Sequence, residues 1–253
     1  MVRPRGFGAP PGRKNRDGHM ASNLTALVKR SLVKKQIVAV TGIVLVTFIF
    51  GHLAGNFLIL AGPEALNRYA EKIQGMGGFL WVVRLGLLAA FLTHITFTIW
   101  VTLENRAARG ERYEVRNTLG NTTWAKRTMI LSGAMVFCYV FIHLNDFTFP
   151  EKVGPSTVIP GVNDNESLGL FGLVWNSFLH PLRAGFYILA VSLLGMHLSH
   201  GIESVFQSLG TPLGQQRPKL LKISRIIGFL VALGFSSIPI YVIVRHYTIG
   251  AGV

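Results

Sequence analysis

The sequence is poor in charged residues and in cysteine. Only 14% of its 253 residues are Asp, Glu, Lys or Arg, whereas a typical soluble domain has roughly 25%. The single cysteine, Cys138, excludes a disulfide within the chain, and a cysteine-bound iron–sulfur cluster would need about four. The low charge and the positive mean hydropathy of +0.43 indicate a membrane protein.

The sequence also lacks nucleotide-binding motifs. No G-x-G-x-x-G fingerprint follows a predicted strand, and no Walker A loop is present. If electrons pass through this protein, a flavin or an iron–sulfur cluster must therefore sit on another chain. The formal net charge of +14 does not indicate nucleic-acid binding, because Lys and Arg are concentrated between apolar runs, as in loops beside a membrane.

Five apolar runs predict five transmembrane helices. Each run has about 18 residues or more, close to the ~20 that cross a hydrocarbon core as a helix. We predict an all-α integral membrane protein with a five-helix domain over 29–253, preceded by a disordered basic cytoplasmic tail over 1–28. The predicted helices, numbered first to fifth, cover about 33–61, 78–105, 125–147, 181–208 and 221–247.

Loop charges predict the orientation in the inner (cytoplasmic) membrane of the cell. Lys and Arg are concentrated before the first helix, between the second and third, and between the fourth and fifth. By the positive-inside rule, the N-terminus is then cytoplasmic and the C-terminus lies outside. On the outer side we expect PEALNRYAEKI to form a short surface helix and the long loop 146–181 to form part of a lid.

The apolar runs contain no acidic residue, but they do contain histidines. An ionisable residue in a membrane segment points to a function, and neutral imidazole can ligate a metal there. Any one of these histidines could instead form an interhelical hydrogen bond, so their arrangement decides the interpretation. Five of the eight histidines lie in predicted transmembrane helices: His52, His94, His143, His197 and His200.

Two of these histidines lie in the outer half of the membrane. His52 is 17 residues after Lys35, and His143 is 16 residues after Arg127. At a rise of about 1.5 Å per residue, both are roughly 24–25 Å from the cytoplasmic edge. They belong to the first and third helices, so they can face each other at one level.

Two further histidines lie in the inner half. His94 is 10 residues before Glu104, roughly 15 Å from the cytoplasmic edge, and His197 is 6 residues before Glu203, roughly 9 Å from it. Each pair thus combines two helices at comparable depth, as two stacked haems with two axial histidines each require. Zinc would need a compact cluster at one depth, so it fits these histidines less well. A cytochrome b of the bc type would carry two ligands on each of two helices, whereas the first three helices here carry one histidine each.

At these residues the sequence resembles the five-helix, two-haem cytochrome b558 subunit of succinate dehydrogenases and fumarate reductases. The motif of the fourth helix is specific, while the apolar filler between motifs is not, and the match covers about residues 30–245. The stretches that carry the resemblance are SLVKKQIVAVTGIVLVTFIFGHLAGN, NRYAEKI and RAGFYILAVSLLGMHLSHGIESVFQSLG, together with the single histidine on the second and third helices.

The resemblance implies two haem b groups. His52 and His143 would hold the outer haem, and His94 and His197 the inner one. His200 is the alternative ligand on the fourth helix, or else a hydrogen-bond partner of a propionate or part of a quinone pocket. The expected partners of the haem propionates are Arg84, Arg183 and His180 on the outer side, and Lys34 or Arg127 on the inner side.

The resemblance also implies partners. A flavoprotein subunit and an iron–sulfur subunit would dock on the cytoplasmic face, and electrons would pass between succinate or fumarate and a membrane quinone, either menaquinone or ubiquinone. A higher oligomer of this complex, a cytochrome b anchor of a hydrogenase or formate dehydrogenase, and a haem-free transporter all stay open. Some relatives carry a membrane glutamate two residues before the fourth-helix ligand, but this sequence has Gly195 there, so we expect no such proton route.

Overall fold

The computed structural model describes residues 31–107, 124–212 and 214–249, and this part of the chain is helical with no β-strand. Five of its helices are long and apolar enough to cross a membrane. The prediction of an all-α membrane protein with five transmembrane helices is therefore confirmed. The predicted basic tail over 1–28 and most of the loop between the second and third spans lie outside the described residues.

Seven α-helices make up the described fold. The five spans run alternately up and down. We call the end of the bundle at which the first span begins the amino face. The opposite end, the carboxyl face, holds the two longer connections, each of which contains a short helix. In chain order the helices are α1 (Ser31–Asn56), α2 (Pro63–Gln74), α3 (Gly78–Ala107), α4 (Trp124–Phe147), α5 (Gly169–Leu179), α6 (Pro181–Ser208) and α7 (Arg217–Ile249).

Helix α6 is the centre of the bundle. It packs against α7, α4 and α1, while α3 packs chiefly against α1. The contact with α7 is tightest at two glycines: a methyl group on Gly195 would lie 2.3 Å from the Gly228 carbonyl oxygen, and one on Gly228 equally close to the Gly195 oxygen. Small residues allow such close backbone approach in membrane helices.

The carboxyl face is covered by a folded cap built from α2, α5 and the segment around them. PEALNRYAEKI forms α2, as expected, and the long loop predicted as a lid contains α5. Phe171 and Trp175 of α5 are fully buried. Asn67 of α2 holds the start of α5, because its side chain donates to the Leu168 carbonyl at 2.9 Å and accepts from the Phe171 amide at 3.1 Å.

The amino face contains two buried charged residues. Lys34 is 1% exposed, forms an ion pair with Glu104 and lies 4.2 Å from the centre of the Trp100 ring. Glu203 is also 1% exposed and accepts from Arg217 at 3.1 Å. Helix α6 continues beyond Glu203 to Ser208.

Candidate functional site

The two histidines predicted for the outer level meet in the structure. The ring centres of His52 on α1 and His143 on α4 are 5.6 Å apart, with the ring planes at 89°. Aromatic rings surround them, with Phe48 stacked on His52 at 5.2 Å and Tyr139 beside His143 at 5.6 Å. The Nδ1 atom of His143 is buried and has no hydrogen-bond partner among the described residues.

His94, predicted for the inner level, is held against α1. Its Nδ1 atom lies 3.2 Å from the Thr41 hydroxyl and 3.2 Å from the Val38 carbonyl oxygen. A methyl group on Gly42 would lie 3.4 Å from its Cε1 atom. The imidazole of His94 therefore rests directly on the backbone of α1.

His197, the second inner histidine, is held against α4 in the same way. Its Nδ1 atom lies 3.3 Å from the Ser132 hydroxyl. A methyl group on Gly133 would lie 3.2 Å from its Cε1 atom. His94 and His197 are close enough to interact electrostatically.

The distance between the two levels follows from α1 itself. Thr41, which touches His94, and His52 are eleven residues apart in one continuous helix. Eleven residues make about three turns, so both side chains lie on one face, separated by about 16 Å along the axis. Ser132 and His143 are also eleven residues apart in α4. The pair of His52 and His143 and the pair of His94 and His197 thus lie at two levels along the bundle.

These residues fit haem better than a metal held by protein groups alone. In the described part of the chain, no three His, Cys, Asp or Glu side chains gather around one point. Zinc sites use three or four protein ligands. A haem brings its own equatorial ligands and takes two axial ones from the protein. Two histidines from different helices at each level supply that number.

The other predicted site residues differ from one another in burial and in their contacts. His200 lies on the buried side of α6, one turn beyond His197 and within electrostatic range of it. His180 is exposed just before α6, and Arg84 is exposed with its guanidinium 5.2 Å from the Trp81 ring centre. Among the described residues, Arg183 is the one of the three outer candidates that lies beside a carboxylate near the outer histidines, that of Asp146.

Asp146 is a buried carboxylate that sequence reasoning left at the edge of the loop. It is 7% exposed at the end of α4, one turn beyond His143. It accepts a hydrogen bond of 2.9 Å from Tyr187, and Arg183 lies 3.7 Å away. Arg183 is thereby engaged by a protein carboxylate. On the inner side, Lys34 is likewise paired with Glu104, and the side chain of Arg127 lies outside the described residues.

Sequence reasoning also missed Thr41 and Ser132. Hydroxyl residues in membrane helices commonly bond their own helix carbonyls, so neither position stood out. The available signal was the pattern of a hydroxyl residue followed by glycine, eleven residues before a histidine, in both the first and third spans.

The fold and the histidine levels define an all-α, multi-pass membrane protein with paired histidines inside its helix bundle. No family model matches the sequence, no curated protein matches it, and no solved structure matches the chain. The kinship with the cytochrome b subunits, and what it implies about haem, quinone and partners, therefore stays a prediction.

Proposed function

We propose that this protein is the di-haem cytochrome b anchor of a succinate:quinone oxidoreductase. The observation that carries the proposal is the arrangement of four histidines from four spanning helices as two pairs about 16 Å apart along the bundle. The apolar surroundings of these histidines give a low local dielectric constant. Dielectric constant and axial ligands are two of the properties by which a protein adjusts the reduction potential of a haem. Two such levels would give electrons a path across most of the membrane.

The proposed ligands divide by level. His52 and His143 would bind the haem near the carboxyl face, and His94 and His197 the haem near the amino face. When bound, haem supplies a one-electron carrier whose potential the axial ligands and their hydrogen bonds adjust. The protein orients the imidazoles, as the contacts of His94 with α1 and of His197 with α4 illustrate.

The carboxyl face offers a place for the quinone. A cavity of about 410 Å³ lies between the start of α2 and the end of α7, with Glu64, Tyr241 and Arg245 in its lining. The Nε atom of Arg245 is buried and has no hydrogen-bond partner within the described part of the chain. A quinone carbonyl oxygen is an acceptor that Tyr241 or Arg245 could serve.

The proposed partners belong on the cytoplasmic side. The amino face would receive the iron–sulfur subunit, which in turn would carry the flavoprotein subunit. The proposal places this face in the cytoplasm because its loops carry most of the Lys and Arg residues. This chain would relay electrons and bind quinone, and the dicarboxylate chemistry would belong to the flavoprotein.

The position of Gly195 supports an electron relay without a carboxylate at this point of α6. A side chain there would collide with the backbone of α7, since its first carbon would lie 2.3 Å from the Gly228 oxygen. The glutamate that some relatives carry at this point is therefore incompatible with the helix crossing. Protons for quinone chemistry must then be exchanged at the carboxyl face.

The test is a reduced-minus-oxidised spectrum of the purified complex, with haem counted per chain. We expect b-type absorbance and two haems. His143→Ala should remove one haem and leave the other, while Ile142→Ala, a change at an exposed neighbouring position, should keep both. A protein without b-type absorbance, or loss of both haems from a folded His143→Ala protein, would refute the proposal.

A second comparison separates the candidates on α6. His197→Ala should remove the haem that His143→Ala leaves, and His200→Ala should keep both. The reverse result would make His200 the ligand. Co-purification with a flavoprotein distinguishes the proposed complex from a hydrogenase or formate dehydrogenase anchor, and a haem-free preparation would favour the transporter alternative.

A further inference from the structure

The first and third spans contain the same arrangement of a hydroxyl residue and a histidine, at the same spacing. In α1 a hydroxyl residue, Thr41, precedes His52 by eleven residues, and in α4 Ser132 precedes His143 by the same number. Each hydroxyl touches the histidine of another helix at 3.2 Å and 3.3 Å. Each of these two helices thus provides one proposed ligand near the carboxyl face and one hydroxyl support near the amino face.

The hydrogen bonds decide which nitrogen of His94 carries a proton. Its Nδ1 atom faces the Val38 carbonyl oxygen, which can only accept. The Thr41 hydroxyl has one proton, and the Ile37 and Val38 carbonyl oxygens lie 2.8 Å and 3.1 Å from it. The hydroxyl therefore donates to its own helix and accepts from His94. Nδ1 is protonated, and Nε2 keeps a lone pair for a metal.

The same logic applies to His197. The Ser132 hydroxyl lies 3.0 Å from the Met129 carbonyl oxygen and donates to it. It then accepts from Nδ1 of His197 at 3.3 Å. Both histidines of the amino-face pair are thus held as the tautomer that leaves Nε2 available.

Two glycines bring the rings close enough for these contacts. Gly42 follows Thr41, and Gly133 follows Ser132. A methyl group at either position would lie within 3.4 Å of a histidine Cε1 atom, so a larger residue would push the imidazole away from the hydroxyl. The hydroxyl–glycine pair is therefore a cradle that sets both the position and the tautomer of the ring.

We infer that Thr41 and Ser132 are positioning residues that fix His94 and His197 as Nε2 ligands and raise the basicity of both imidazoles. This inference rests on the proposed function. Partners of the second ring nitrogen increase the electron donation of a ligating histidine, and a more basic ligand favours oxidised iron. The two hydroxyls should thus lower the midpoint potential of the amino-face haem and leave the other haem unaffected.

His143 differs from His94 and His197 in the surroundings of its Nδ1 atom. This difference supports an effect on the haem of one level only. Its Nδ1 atom is buried without a hydrogen-bond partner in the described ranges. His143 therefore does not have such a hydroxyl partner in the described part of the chain, although it lies on the same helix as Ser132.

The experiment is a spectroelectrochemical titration of the purified complex that resolves both haems, with haem content measured in parallel. The amino-face component is assigned as the one that His94→Ala removes. Thr41→Val and Ser132→Ala should each raise its midpoint potential, the double variant should raise it further, and Thr41→Ser and Ser132→Thr should restore the original value. We also expect roughly 10-fold or greater weakening of retention of that haem in the double variant.

Matched controls are available on α1 and α6. Thr47 on α1 and Ser192 on α6 also bond their own helix carbonyls but are exposed, so Thr47→Val and Ser192→Ala should leave both potentials in place. Two bound haems with no shift in Thr41→Val and Ser132→Ala would overturn the inference and leave the proposed function standing. A shift of the other haem, or failure of Thr41→Ser to restore the potential, would also overturn it. Absence of haem from the unsubstituted protein would refute the proposed function itself.

Discussion

Asp146 is a residue whose role depends on burial. A carboxylate at 7% exposure must be compensated by hydrogen bonds or opposite charge. Tyr187 donates to one of its oxygens and Arg183 lies near the other. The ring of Tyr187 also packs at 6.2 Å from that of His143, so this cluster stabilises the packing of α6 against α4, the helix that carries His143.

Removing the Tyr187 hydroxyl should therefore destabilise the protein. Tyr187→Phe leaves the packing of the ring intact but removes a hydrogen bond to a charged group, and such bonds contribute about 1.5–3 kcal/mol. We expect a decrease of that size in the free energy of unfolding, measured by denaturation in detergent. Tyr247→Phe is the control, since Tyr247 is 79% exposed. Equal stability of the two variants would contradict this role of Asp146.

At the residue scale the sequence identified the histidines but not their supports. A histidine in an apolar run is conspicuous because an ionisable side chain in lipid is costly. Thr41 and Ser132 are common residue types in a membrane helix. Their role follows only from the contact that each makes with a histidine of another helix. Asp146 was read as a loop residue because its burial depends on α6, which is distant in sequence.

At the element scale the crossing of α6 and α7 positions the central helix. The two backbones meet at Gly195 and Gly228 with no room for a side chain. A glycine in a membrane helix can allow close contact with another helix or leave space for a cofactor. In the structure Gly195 faces α7, so it serves helix packing.

A methyl group at this crossing should separate the helices. Gly195→Ala should lower the free energy of unfolding by about 1–3 kcal/mol, as overpacked cores do, and should loosen retention of the proposed haem that α6 would hold. Gly185→Ala on the same helix is the matched control, because nothing lies within 4 Å of a methyl group there. Its better helix propensity should leave stability unchanged or raise it by up to ~1 kcal/mol. Similar destabilisation by both changes would contradict the packing role.

At the scale of the whole molecule, the two ends of the bundle differ in construction. The carboxyl face is covered by the cap of α2 and α5, with Phe171 and Trp175 fully buried. The amino face contains the ion pair of the buried Lys34 with the partly exposed Glu104, and the segments rich in Lys and Arg adjoin the helix ends of this face in the sequence. A relay from cytoplasmic subunits to quinone requires that the amino face be cytoplasmic.

This orientation can be measured with single cysteines in a Cys138→Ser background. Phe149 beyond α4 is 73% exposed on the carboxyl face, and Leu209 after α6 is 44% exposed on the amino face. A membrane-impermeant maleimide should label Phe149→Cys in intact cells and Leu209→Cys only after the membrane is opened and the protein denatured. Labelling of Leu209→Cys alone in intact cells would reverse the proposed topology.

The sequence by itself determined the class of the protein and the number of spans, because lipid allows long apolar segments few structures other than helices. It also determined that His52 and His143 share one depth, since the helix rise converts numbering into distance. The tertiary structure decided what meets across helices: Thr41 with His94, Ser132 with His197, and Asp146 with Tyr187. Those contacts join residues 41 to 65 positions apart, and one-dimensional spacing cannot specify which faces of two helices pack together.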